Sequence, residues 1–294
     1  MRLQKIQLEN KSWQWAILLF LSLIWGTSFI LMKKGLESYS HTQVAAFRIF
    51  FSFVFLLPIT IKNIKVIRRD NIQSLIIVSI IGFAIPAFLF TKAQTRIDSS
   101  LAGILNSLTP LFTLVLGLLA YRTRARWINT VGIILGLTGA IGLIWNGDLN
   151  MLKGINVFAL FIVVATICYG ININEIKFKF VNLSSLEITS LAFLFTGPIA
   201  GTYLLFTDFT PASQTPDYLL NLAYIAILAL FSSVIAVLIF NHLIKYTTTL
   251  FAASVTYIIP LFAIMWGILD GESIRLIQFF WIAVILFGVY LVNK

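Results

Sequence analysis

Polar side chains set inside long apolar runs are the residues of this chain best suited to chemistry. Trp25, Thr27 and Ser28 follow one another in one such run, and Tyr169, Asn172, Asn174 and Glu175 in another. Arg48, Asn106 and Tyr257 are comparable intrusions. The chemistry they suit is solute recognition. A polar solute leaving water needs protein donors and acceptors in exchange for its hydration, and such groups are costly against lipid unless they face a cavity. The hydroxyls of Thr27 and Ser28 suit binding and the indole of Trp25 an apolar wall, although small residues also let helices pack closely. Arg48 sits about seven residues into its run, roughly 10 Å of helix rise from the end. Its fork either clamps a carboxylate or phosphate or bonds carbonyls and fixes packing. Apart from Glu187 in the first turn of another run, Glu175 is the only acid inside a run. It is a candidate for proton coupling through a desolvated carboxylate, or else a snorkelling acid at the membrane edge.

Covalent and metal chemistry have no such support. His41 and His242 are far apart in sequence, Cys168 has no histidine nearby and the acids do not cluster, so neither a nucleophile with its base nor a metal set can be drawn. No phosphate-cradling glycine loop is present. The chain therefore reads as a non-enzyme without a cofactor or metal. Its single cysteine can form no internal disulfide and is expected to be an inert, buried thiol.

The elements that must carry these residues follow from composition. Of 294 residues 59% are hydrophobic and 11% charged, with a mean hydropathy of +0.96, too apolar for a water-soluble fold. In lipid, a segment of about 20 residues spans the hydrocarbon layer as a helix because the helix satisfies its own backbone. The runs predict ten transmembrane helices at 13–36, 41–61, 72–92, 99–120, 127–145, 154–176, 185–207, 218–244, 249–269 and 275–293, an all-α membrane protein. The connections are short and polar, which leaves no room for a separate soluble domain.

The net charge of +10 is topological. Counted over alternate loops, fourteen Lys and Arg fall on the side of the N-terminus and six on the other, with Arg48 inside a helix. The positive-inside rule then places both termini in the cytoplasm, in a multi-pass protein of the plasma membrane, and no nucleic-acid partner is implied. The two clearest outer loops, 146–153 and 207–217, hold three acids and one base. The first run exceeds signal-peptide length and lacks a small-residue cleavage site, so it is expected to stay as the first helix.

The pattern repeats. Ala102 to Phe112 aligns with Ala252 to Phe262 at the prolines, Pro110 with Pro260, and the same offset pairs Gly117 with Gly267 and Phe90 with Phe240. Gly26 aligns with Gly170, Trp25 with Tyr169 and Lys33 with Lys177. Five helices per copy is odd, so the second copy crosses upside down, the inverted-repeat plan of many secondary transporters. The two repeats are 13–145 and 154–293. Pro110 and Pro260 each remove a backbone hydrogen bond and are expected to kink their helices as candidate hinges, or simply to bend them for packing. Gly170 with the two asparagines marks the sixth helix as a place for a kink. Gly132, Gly136, Gly139 and Gly142 form a face for close helix contact.

Trp25-Gly26-Thr27-Ser28-Phe29, the deep Arg48, Pro110 to Thr113, Pro260-Leu261-Phe262, Leu269-Asp270-Gly271-Glu272 and Gly288 together resemble the drug/metabolite transporter superfamily, with two EamA-type repeats. The resemblance spans nearly the whole chain. Glu272 matches a glutamate usual in the family's last loop of a repeat, whereas the first copy departs from it with Arg122-Thr123. It implies secondary transport of small metabolites or drugs by alternating access, with a site between the repeats, export of amino acids or related compounds, proton coupling as a candidate, and a pairing of each repeat's last helix with its counterpart. The oligomer is a monomer or a homodimer, the latter through the glycine face. The alternative is a channel or receptor-like protein.

Overall fold

Helix is the regular structure that an apolar chain can complete without partners, and among the described residues it is the only one found. The computed structural model describes residues 11–123, 126–144, 156–272 and 276–292. The outer loop expected at 146–153 lies outside them, as do Arg2, Lys5, Arg124, Lys153, Arg275 and Lys294. In chain order the rods are α1 (Lys11–Leu36), α2 (His41–Asn63), α3 (Ile72–Ala93), α4 (Ser99–Tyr121), α5 (Trp127–Ile144), α6 (Val157–Lys179), α7 (Ser185–Phe206), α8 (Tyr218–Tyr246), α9 (Thr249–Leu269) and α10 (Leu276–Val292). Eight of them are long and apolar enough to cross a membrane; α5 and α10 are apolar and shorter.

Local sequence explains several of the starts. Ser40 with Gln43 and Ser184 with Glu187 form reciprocal capping boxes that open α2 and α7. Thr248 caps α9 through the amide of Phe251. At the far end of α9, Gly271 adopts φ +84, and the Glu272 amide reaches back to the Gly267 carbonyl at 2.9 Å. This is a Schellman-type stop, and it needs a residue at ease in the left-handed region. The matching end of α4 has Arg122 in that region instead, at φ 54.

Four rods are interrupted. α3 and α8 each contain a wide π-type segment, Val78–Ala84 and Leu228–Ile235. α4 breaks between Asn106 and Thr109, and α9 tightens to a 3-10 turn over Ser254–Tyr257. Pro110 and Pro260 lie in the first turn of the resumed helices, where a missing amide hydrogen costs least. The irregular turn expected in α6 is not found. That helix runs unbroken from Val157 to Lys179, and its Gly170 serves contact instead, because a Cβ there would stand 2.9 Å from the Phe112 backbone.

Packing joins the two halves helix by helix. Gly26 of α1 rests on α9 at Ile259 and Phe262, and Gly170 of α6 rests on α4 at Phe112 and Thr113. Gly201 of α7 lies against the Phe50 ring of α2. Gly288 of α10 meets the backbone of α5 at Gly132 and Gly136. The glycine face of α5 is thus covered by α10 within the same chain, with Gly139 and Gly142 against Ile285 and Trp281. A homodimer built on that face is therefore not what the glycines serve here.

Candidate functional site

A cavity of about 100 Å³ lies in the centre of the bundle, walled by α1, α2, α3, α4, α6, α7, α8 and α9. From α1 come Trp25, Ser28, Phe29 and Met32; from α6, Tyr169, Asn172 and Ile173. These spacings of three, four and seven put each set on one helical face. The interrupted segments of the other rods supply Gly82 and Phe83, Asn106 and Thr109, Ser232 and Ser233, and Val255 and Thr256.

Two aromatic pairs stand on its walls. Trp25 meets Phe240 edge-on at 5.0 Å, and Tyr169 stacks on Phe90 at 5.9 Å. The Trp25 indole N–H donates to the Ser232 carbonyl at 3.1 Å, inside the π-type segment of α8. Arg48 reaches the cavity from α2. Its Nε donates to Ser233 Oγ at 2.7 Å, and among the described residues it forms no ion pair. Phe83 packs on Phe193 at 4.9 Å and adds a further aromatic contact to the wall. Asn106 and Asn172 are buried, and among the described residues Asn172 Oδ1, Ser232 Oγ and Asn241 Oδ1 have no hydrogen-bond partner. Unpaired buried polar atoms are uncommon in folded proteins.

Of the residues singled out in sequence, Trp25, Ser28, Arg48, Asn106, Tyr169 and Asn172 line this cavity. Thr27, Asn174 and Tyr257 do not. Thr27 points to α9, where its hydroxyl accepts from the Trp266 indole at 2.9 Å. Asn174 donates to the Thr113 and Gly170 carbonyls, both at 2.9 Å, and so ties α6 to α4. Tyr257 packs against the hydrophobic core. Pro110 and Pro260 lie at the helix breaks and are not among the lining residues. Phe83, Phe90, Ser233 and Phe240 were missed as site residues, although the repeat already aligned Phe90 with Phe240.

Glu175 lies apart, toward the end of the bundle where α6 finishes. Its side chain is buried rather than snorkelling, and it accepts from Ser74 Oγ and Tyr121 OH, each at 2.5 Å. No cation among the described residues pairs with it.

The opposite end carries the strongest electrostatic cluster. Glu272 accepts from Lys33 Nζ at 2.8 Å, from Ser99 Oγ at 2.6 Å, and from the backbone amides of Ser99 and Ser100 at 2.9 and 3.0 Å. It thereby caps the first turn of α4, where a helix favours negative charge. Burial alone would raise its pKa, but the Lys33 and serine hydrogen bonds outweigh this and hold it at about 2. Asp270 joins Lys33 at 2.7 Å and Lys34 at 3.1 Å. Its carboxyl lies below the usual range, chiefly through the Lys33 hydrogen bond. Burial and the neighbouring Glu272 push Asp98 upward. Lys177, the counterpart of Lys33, bonds no acid among the described residues. Its ammonium caps the last carbonyls of α8, at Ile244, Lys245 and Thr247.

A bundle of apolar helices closed around a polar and aromatic central cavity is the architecture of a membrane transport protein, and sequence comparison agrees. Residues 13–145 and 157–294 match the EamA-like transporter family, and the chain belongs to it. It is 26% identical over 282 residues to the uncharacterized inner membrane transporter YedA of Escherichia coli (strain K12), covering 93% of this chain and 88% of the relative. It is 24% identical over 267 residues to the S-adenosylmethionine/S-adenosylhomocysteine transporter of Chlamydia trachomatis serovar L2, covering 87% and 82%. A solved crystal structure shares the fold at a TM-score of 0.66 over 96% of both chains, with 14% identity. The chain is a multi-pass membrane transporter with a small-molecule substrate.

Proposed function

We propose that the chain is a secondary transporter that moves small metabolites or drugs by alternating access, exporting amino acids or related compounds across the plasma membrane. The observation that carries this reading is the central cavity. Both halves of the chain build it, and it places one arginine, several amides and hydroxyls, and two aromatic pairs at the seam between them. In this reading α5 and α10 also cross, giving ten helices in two inverted five-helix repeats with both termini cytoplasmic. The swapped contacts support it: Gly26 on Phe262 has Gly170 on Phe112 as its repeat mate, and Trp25 on Phe240 has Tyr169 on Phe90. Trp25, Ser28, Arg48, Asn106, Tyr169 and Asn172 bind solute, whereas Thr27, Asn174 and Tyr257 position the helices that hold them. The breaks before Pro110 and Pro260 serve as hinges, and Glu175, a buried acid held by two hydroxyls, carries the coupling proton.

The test is counterflow of a labelled panel of amino acids and metabolites in proteoliposomes, with and without a pH gradient. Saturable exchange, with gradient-driven accumulation lost in Glu175→Gln, is the expected result. Ion current without exchange would replace the carrier by a channel.

A further inference from the structure

The charge of the cavity is one-sided. Among the described residues Arg48 is the only charged side chain on its wall. One of the five guanidinium N–H groups is satisfied by Ser233; the others find no acceptor among the described residues. The Tyr169 phenol acts on it electrostatically, and among the described residues no carboxylate lines the space. An arginine held at membrane depth is costly unless something negative faces it, and here the described residues lining the cavity provide nothing negative. Around the guanidinium the wall is aromatic: Trp25 with Phe240, Tyr169 with Phe90, and Phe83 with Phe193.

We propose that this cavity takes amphipathic organic monoanions, a carboxylate or similar acidic group on an apolar body about the size of one ring, and disfavours the same body carrying an ammonium. The acid supplies the bidentate partner that the planar fork lacks. A volume of about 100 Å³ is smaller than the roughly 150 Å³ of a dry cavity that takes up benzene, which limits the body to no more than about one ring. The amide of Asn172 and the hydroxyl of Ser232 are neutral partners, so they accommodate a hydroxyl or carbonyl on the body. They do not compensate a second full positive charge close to Arg48 in a low dielectric. A zwitterionic amino acid thus binds less well than the corresponding acid without its amine. The proposal rests on the transporter reading and narrows its substrate class.

The test uses four compounds that share one body: 3-phenylpropionate, phenylalanine, 3-phenylpropan-1-ol and phenethylamine. Binding to the full-length protein in nanodiscs is read by quenching of tryptophan fluorescence or by calorimetry, and the same four are then tried as trans solutes in counterflow. The expected order is propionate, phenylalanine, alcohol, amine, with at least tenfold between propionate and alcohol. Arg48→Gln should bring propionate to within about threefold of the alcohol while Arg48→Lys keeps a preference for the anion. If Arg48→Gln does not fold, Ser233→Ala, which frees the fork from its one hydrogen-bond partner among the described residues, should weaken propionate several-fold more than the alcohol. Equal binding of anion and amine by the wild type, or binding of none of the four up to millimolar concentration, overturns the proposal. Selective binding of propionate without counterflow would sink the transporter reading and leave the anion site standing. Counterflow driven equally by amine and acid would do the reverse.

Discussion

Removing the charge of Glu272 should cost the protein stability in a pH-dependent way. The side chain is 2% exposed, and Lys33 and the first turn of α4 converge on it. Holding its pKa at about 2 rather than the ordinary 4.5 corresponds to about 3 kcal/mol at 1.36 kcal/mol per tenfold. Because Lys33 is 30% exposed, screening reduces this to about 2 kcal/mol. Glu272→Gln keeps one acceptor oxygen but loses the charge, so its melting midpoint at pH 7 should fall by about 4–8 °C. The group's folded pKa is depressed, so its stabilisation is full above pH 4.5 and lost as pH falls from there toward 2. Wild type and Glu272→Gln should therefore converge across that window. Asp270 titrates in the same sense and Asp98 in the opposite one, and because Glu272 helps to raise Asp98 and shares Lys33 with Asp270, the difference carries their coupling to Glu272 as well. Thermal unfolding in nanodiscs by intrinsic fluorescence, at several pH values, reads the effect. A variant within 1 °C of wild type at pH 7, or a gap that does not narrow by pH 2.5, would refute the argument.

Gly288→Ala should lower stability by about 1–3 kcal/mol through overpacking, because the new Cβ would lie 2.5 Å from the Gly136 amide nitrogen and 2.7 Å from the Gly132 carbonyl; the same melting assay reads it. Gly271→Ala meets no neighbour within 4 Å yet strains a backbone at φ +84, so a smaller loss of about 1 kcal/mol is expected. Asn172→Ala should cut exchange at least tenfold with an unchanged amount of folded protein, and normal exchange or loss of folding would remove its assigned role. In Glu175→Gln, exchange should persist while accumulation driven by a pH gradient disappears, since an amide keeps an acceptor for Ser74 or Tyr121 but carries no proton to release.

The apolar runs made the rods legible because hydropathy and length alone decide what lipid accepts. The run at 249–269 coincides with α9, and the run at 185–207 differs from α7 by one residue. The wide segments in α3 and α8 left no mark in composition. In α3 such a segment holds Gly82, against which the distant Asn172 side chain of α6 packs so closely that a Cβ would not fit. Polarity marked Ser28 and Thr27 alike, but neighbours on a helix point about 100° apart. Following the face of Trp25 at steps of three, four and seven would have kept Ser28, Phe29 and Met32 and excluded Thr27. The same step from Tyr169 keeps Asn172 and excludes Asn174. Glu272 was visible as a family residue, but its partners were not, because Ser99, Ser100 and Lys33 are more than 170 positions away.

Alternating access is tested most directly by asking from which side the cavity can be reached. In a background carrying Cys168→Ser, Ser28→Cys places a thiol on the cavity wall, and a membrane-impermeant maleimide is added to sealed, oriented vesicles on one side at a time. The account predicts labelling from either side, slowed on both by a solute that exchanges, with no accompanying ion conductance. Labelling confined to one side under all conditions, or labelling from both together with steady current, would contradict it.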